Sequence, residues 1–443
     1  MQISIPGIRV PQTFVRLSRT ASICLILLIC TSCGDYYRPV ALPLVPSQPN
    51  PAATNIAVVI TGNGSDNPGA SSTIDVSGDT VDSQATVGLQ PVAAALAING
   101  TSVFVANSGE DSVSQFAPNV PTPVTTISLP AGSAPDFVAS AESFHVYIAN
   151  HGSGTGNGSV SVIATSNNVV INTVATGGSP VMIAETPNAQ KVYVVNGAGS
   201  GASPSILSIN TVDFTTNPPI LPSGGAWNTP IWAVVRSDSQ RAYVLDKGAG
   251  TVTAIDTSFD TVVGSTNSVG VGADFMSYDP NLNRIYVTNP ATNSFIALNA
   301  GLDTLPVIGK SITISSPISV TALVDGSRVY VASAALSGTA PSQTVASSVT
   351  VINAGSLTVK NTISLASVPA ATGCPSQNWS ELSMAASPDN SRVFVGNCDA
   401  GNTAIIQTSN DALVVTIPAP PGAFSPPATK PTVQRPVFVL TGV

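Results

Sequence analysis

The chain has 443 residues, 43% of them hydrophobic and only 9% charged, with 36 Gly and 36 Pro. Ordinary soluble domains carry about 25% charge, so Ser, Thr, Asn and Gly must dress this surface. A net charge of −8 argues against a nucleic-acid partner, because an acidic surface repels phosphate backbones.

The chain opens with a targeting segment. Arg9, Arg16 and Arg19 precede the apolar run Ile23–Ile29, with no acid among the first 32 residues. That run is shorter than the roughly 20 residues a membrane-spanning helix needs. It ends in Cys30-Thr31-Ser32-Cys33-Gly34, which resembles the bacterial lipobox apart from Cys30, where Leu is usual. The resemblance implies cleavage after residue 32, a lipid on Cys33 and a location on the bacterial cell envelope. Gly34, in place of the Asp that often marks inner-membrane retention in such lipoproteins, points to the outer membrane. No other stretch is long and apolar enough to cross a bilayer.

Residues 33–54 form the next unit, with prolines at 39, 43, 46, 49 and 51. Such a segment is a semi-rigid tether. In polyproline II form, about 3.1 Å per residue, it reaches roughly 60 Å from the membrane.

Residues 55–443 repeat themselves. One strand pattern returns as Val103–Asn107, Val146–Asn150, Val192–Asn196, Ala242–Asp246, Ile285–Asn289, Val329–Ser333 and Val393–Asn397, each with a central aromatic ring. A weaker copy, Val58–Gly62, opens the series. Successive copies lie 45, 43, 46, 50, 43, 44 and 64 residues apart. This is the period of a four-stranded propeller blade. Within each period an A strand, often begun by proline as at Pro135, Pro180 and Pro317, leads through a short turn to the aromatic B strand. Strands like Ser159–Ile163 and Leu413–Ile417 complete it as C and D. The expected fold is therefore all-β: a single propeller, eight-bladed, or seven-bladed with the first copy outside the ring. The first copy lacks an A strand, and Pro436–Thr441 reads as the missing one, so the C-terminal strand closes the ring beside residues 56–62.

Tyr286-Val287-Thr288-Asn289, with Pro280 and Arg284 before it, resembles the YVTN-type β-propeller repeat family over about residues 55–443. The family implies exported or surface-located propellers, some built like lactonases or redox enzymes. Other copies depart from the motif at their ends, and the resemblance says little about activity.

Candidate chemistry is sparse. Cys374 precedes the last A strand and Cys398 follows its B strand, so the hairpin predicts a disulfide, as an oxidising compartment permits. His145 and His151 are the two histidines, too few for a multi-His metal site, and no Cys-x-x-Cys-His or Gly-x-Ser-x-Gly accompanies them. Long insertions are expected in B–C loops at 150–158, 197–205 and 333–348 and in D–A connections at 221–229 and 366–379. Both loop classes emerge on one face of a blade. That face gathers Trp227, Trp232 and Trp379, the acids Asp136, Asp274 and Glu381, and the B-strand exits Asn150, Asp246 and Asn289, with His151 beside them. For the exit residues, turn capping competes with ligand binding. For the tryptophans, packing between blades does the same.

These features support a monomeric binding or scaffolding module for an envelope protein or polysaccharide, with no cofactor. The alternative is a lactonase-like or other hydrolytic enzyme, whose channel carboxylates activate water or hold Ca²⁺.

Overall fold

The computed structural model describes residues 55–442 apart from 98–99, 120–123, 140–143, 154–157, 198–202 and 422–433. The segments read from the sequence as a lipobox with Cys33 and as a tether lie outside the described residues.

Eight antiparallel sheets follow one another along the chain, seven in the order A-B-C-D and one, blade 4, as A-B-C. Blade 2, for example, runs Pro91–Leu96, Val103–Asn107, Ser112–Phe116, Thr125–Ser128. Neighbouring A strands pack against each other around the centre. The ring closes as expected. Arg435–Gly442 is the A strand of blade 1 and pairs antiparallel with the B strand Ile56–Gly62. The weak first copy is thus the first blade, and eight is the count. Closure matters because an open first sheet would present unpaired N–H and C=O groups to other chains.

The repeated aromatic has a packing cause. Phe104, Tyr147, Tyr193, Tyr243, Tyr286, Tyr330 and Phe394 sit mid-B-strand and are essentially fully buried. They fill the space between successive sheets. Several hydroxyls cross to the next blade: Tyr193 donates to Asp260 (2.6 Å), Tyr243 to the Ala300 carbonyl (2.8 Å) and Tyr330 to Asp411 (2.7 Å). The residue that starts the B strand adds a clamp. Lys191 pairs with Asp260 (2.8 Å), Arg241 with Asp303 (2.7 Å), Arg328 with Asp411 (2.5 Å) and Arg392 with Asp79 (2.8 Å). Each acid lies in the C–D connection of the following blade. Asp79, Asp260 and Asp411 adopt positive φ there, a conformation Asp tolerates better than most residues. The last clamp crosses the seam from blade 8 to blade 1.

Three local departures from the sequence expectations have physical reasons. In blade 4 the D position is held only by isolated bridges, Ile209 to Thr216 and Ile206 to Ile220, because Pro218 and Pro219 lack the N–H a regular ladder needs. In blade 6 the D strand is only Ile312–Thr313, after a stretch containing Pro306. In blade 7 the segments expected as loops, 333–348 and 366–379, are partly strand. Arg328–Ser337, Thr344–Asn353 and Thr358–Pro369 form a lengthened three-strand ribbon. Val345, Val349, Val351 and Ile363 there bury one side, the two-residue period that strands require.

Candidate functional site: the mouth of the channel

The entrances of the A strands surround a cavity of about 480 Å³. Its walls come from seven of the eight blades, all but blade 7. Asp136, Asp274, Trp232 and Trp379, singled out in the sequence, all line it. Lys247, Phe137, Asn378 and Ser380 join them.

The floor is aromatic. Trp232 lies 5.2 Å from Trp379, 4.5 Å from Phe275 and 5.6 Å from Phe137, centroid to centroid, while Phe438 is 5.8 Å from Trp379. Five elements each send one ring inward, because an A strand facing the axis has only its neighbours across the channel to pack against. Edge-to-face contacts dominate, as ring quadrupoles favour. Phe137 also lines a second cavity of about 410 Å³, walled by A-strand residues such as Val138, Ile183 and Leu440. The ring layer therefore stands between two parts of the channel. Among the described residues neither the Trp232 nor the Trp379 indole N–H has a protein acceptor.

The charges are arranged unequally. Asp274 is 4% exposed, and one carboxylate oxygen is tied to the Lys247 ammonium. The backbone sets this pair: the Lys247 N–H donates to the Thr229 carbonyl (2.9 Å), and its own carbonyl accepts from the Gly272 N–H (3.0 Å). The other Asp274 oxygen, Oδ2, is buried without a partner. Asp136 is half-buried and makes no hydrogen bond among the described residues. Burial pushes its carboxyl above the ordinary range, and the neighbouring His151 offsets this only in part. His151 is brought there by its N–H, which donates to the Ala134 carbonyl (3.0 Å).

Glu381 lies apart from these two acids. It is 3% exposed, and its Oε2 accepts from the Gln377 N–H (2.7 Å). Burial and the facing Asp399 carboxyl push it from an ordinary 4.5 up to about 8. Asp399 in turn accepts from the Ala371 N–H (2.7 Å). The two acids brace the loop that carries Trp379. The Cys374–Cys398 disulfide, with Cα atoms 5.7 Å apart, pins the same loop. The three acids thus do not meet. Among the described residues no group of three or more His, Cys, Asp or Glu side chains is placed to hold a metal ion.

The remaining sequence candidates serve the framework. Trp227 is 5% exposed and donates its indole N–H to the Ile220 carbonyl (2.8 Å), outside the cavity wall. Asn150 donates to Ser159 (3.0 Å) and Ser161 (2.8 Å). Asn289 donates to the Val269 (2.8 Å) and Gly270 (3.1 Å) carbonyls. Asp246 accepts from the N–H groups of Asn228 and Thr229 (both 2.8 Å) and of Ala249 (2.9 Å). These exits fasten turns and neighbouring connections. Lys247 escaped the sequence reading because it lies one residue past the repeated exit position. Phe137 and Phe275 were legible only as core.

No family model matches the chain, and no curated protein does. Solved structures match it at the level of fold. AztD from Citrobacter koseri superposes with a TM-score of 0.59 at 10% identity, over 88% of this chain and 99% of that one. Dihydro-heme d1 dehydrogenase NirN gives 0.58 at 11%, over 88% and 78%. A functionally unknown protein from Desulfotomaculum acetoxidans gives 0.52 at 14%, over 82% and 95%. At such identities the likeness is one of propeller architecture alone.

Proposed function

We propose that the chain is a YVTN-type envelope propeller, held to a membrane through lipid on Cys33, that binds one unit of an envelope polymer in its mouth cavity. The cavity carries this reading. It is a concave, mostly apolar site that includes Phe137, Trp232 and Trp379 and a few polar groups, within the roughly 300–1,000 Å³ span of ligand pockets. A sugar unit suits it because Trp232 and Trp379 offer flat apolar surface beside polar groups that ring hydroxyls can pair with. The hydrolytic reading would rest on Asp136 with His151 alone, since the other acids are engaged elsewhere.

A thermal-shift panel of sugars, cell-wall fragments, lactones and divalent metals tests the reading. A saccharide that stabilises the wild type but not Trp379→Ala supports it; turnover of a lactone that vanishes in Asp136→Asn would replace it with the enzyme. The anchor is tested by detergent phase separation. The wild-type protein is expected in the detergent phase and Cys33→Ser in the aqueous phase.

A further inference from the structure

The cavity's charges and open hydrogen-bonding groups say more about its occupant. Resting on the mouth-cavity reading, we propose that the site takes an amino sugar whose amine is free and protonated, its ammonium against Asp136 and its ring against Trp232 and Trp379. Among the residues lining the cavity, Lys247 is the one lysine or arginine, and Asp274 engages it. The Asp136 carboxylate is left with no hydrogen-bonded or ion-paired partner among the described residues. Among the side chains that line the wall, two carboxylates against one ammonium leave one negative charge in excess, with His151 beside Asp136 but outside the lining. That charge repels carboxylate or phosphate ligands and is neutralised by a single ammonium.

The uncharged groups decide what carries the ammonium. Asp274 Oδ2 is a buried acceptor with no donor, on a side chain more than nine-tenths buried at the cavity wall. An unsatisfied acceptor there favours a ligand with a hydroxyl to donate. The two indole N–H groups have no protein acceptor among the described residues. A lysine side chain brings an ammonium but no ring face to cover an indole and no hydroxyl for Asp274 Oδ2. A sugar ring brings both hydroxyl donors and oxygen acceptors, and its apolar face covers an indole. An ammonium next to the indole faces also gains from their quadrupoles. N-acetylation removes the charge and enlarges the group, so the acetylated sugar loses the Asp136 contact.

The experiment titrates the full-length protein with glucosamine, N-acetylglucosamine, glucose and Nα-acetyl-lysine methylamide at millimolar concentrations, read by tryptophan fluorescence and melting temperature. Glucosamine is expected to bind at least about tenfold more tightly than the two neutral sugars, and to lose about tenfold on Asp136→Asn. The Asp136 side chain makes no hydrogen bond among the described residues, so this variant is expected to keep its structure; Asp136→Ser provides a second check. If the neutral sugars bind as well as glucosamine and Asp136→Asn changes nothing, the amine assignment falls while the sugar-binding mouth stands. Binding of the lysine derivative alone would overturn the sugar. No response to any probe, with the wild type folded, would overturn both the amino-sugar assignment and the mouth as a saccharide site.

Discussion

Arg392→Ala tests whether the ring is held shut at its seam by the clamp between blades 8 and 1. The Arg392 guanidinium meets the Asp79 carboxylate through two hydrogen bonds of 2.8 Å each, and both side chains are at most 15% exposed. Exposed pairs contribute about 0.2–1 kcal/mol. Removing one partner from a fully buried pair costs about 3–5 kcal/mol, because the other charge stays desolvated. The seam pair lies between these limits, so about 2 kcal/mol is expected. At the unfolding entropy of a propeller this size, the melting temperature drops by about 2–3 °C. The contrast is Asp238→Ala: Asp238 pairs with Arg236 but is 46% exposed, and its loss should cost no more than about 1 kcal/mol. A double-mutant cycle of Arg392→Ala with Asp79→Asn, read by chemical denaturation, isolates the pair. A coupling of about 1.5 kcal/mol or more fits the clamp. A coupling below about 0.5 kcal/mol would refute it and leave closure to the Ile56–Gly62 and Arg435–Gly442 ladder and the contacts of that last strand with blade 8.

Three further outcomes follow from the site. The raised Glu381 carboxyl means that the folded state holds its proton more tightly than the unfolded chain. Its stabilising contribution is complete below about pH 4.5, declines as pH rises, and is gone above about pH 8. Glu381→Gln, an uncharged mimic of the protonated acid, should flatten the melting-temperature profile across that window; an unchanged slope would contradict the assignment. Reducing the Cys374–Cys398 bond, which closes a loop of 24-residue separation, should cost on the order of 3 kcal/mol, measured by melting with and without reductant. It should also weaken ligand binding, because the freed loop carries Trp379. Gly250 sits at φ +67°, and a Cβ there would come within 2.4 Å of the Gly270–Val271 backbone. Gly250→Ala should therefore destabilise by about 2 kcal/mol or more, visible as a lower denaturation midpoint.

The architecture was legible because a repeat is written many times over. A buried ring at the centre of each B strand, a turn before it and a constant period identify a blade even when single copies are weak. The C-terminal copy of an A strand then implies the closure. The two cysteines were readable for the same reason, since the A–B hairpin brings their positions together. Strand length in blade 7 was harder to read. Its Ser, Thr and Ala are as common in loops as on the outer face of a ribbon, and only pairing partners tell the two apart.

The site was legible as a face and not as a set of contacts. Sequence alone determined which loops share an end of the propeller, and so that Asp136, Asp274, Trp232 and Trp379 stand near one another. It could not show that Asp274 is neutralised by Lys247 while Asp136 is not, that Glu381 turns to Asp399, or that Trp227 spends its N–H on Ile220. Those outcomes depend on how the A strands converge on the axis and on which carbonyls the turns leave open. Periodicity fixes the neighbours of a residue along its own sheet. The groups it meets across the channel are set by the curvature of the closed ring, which no local stretch of sequence encodes.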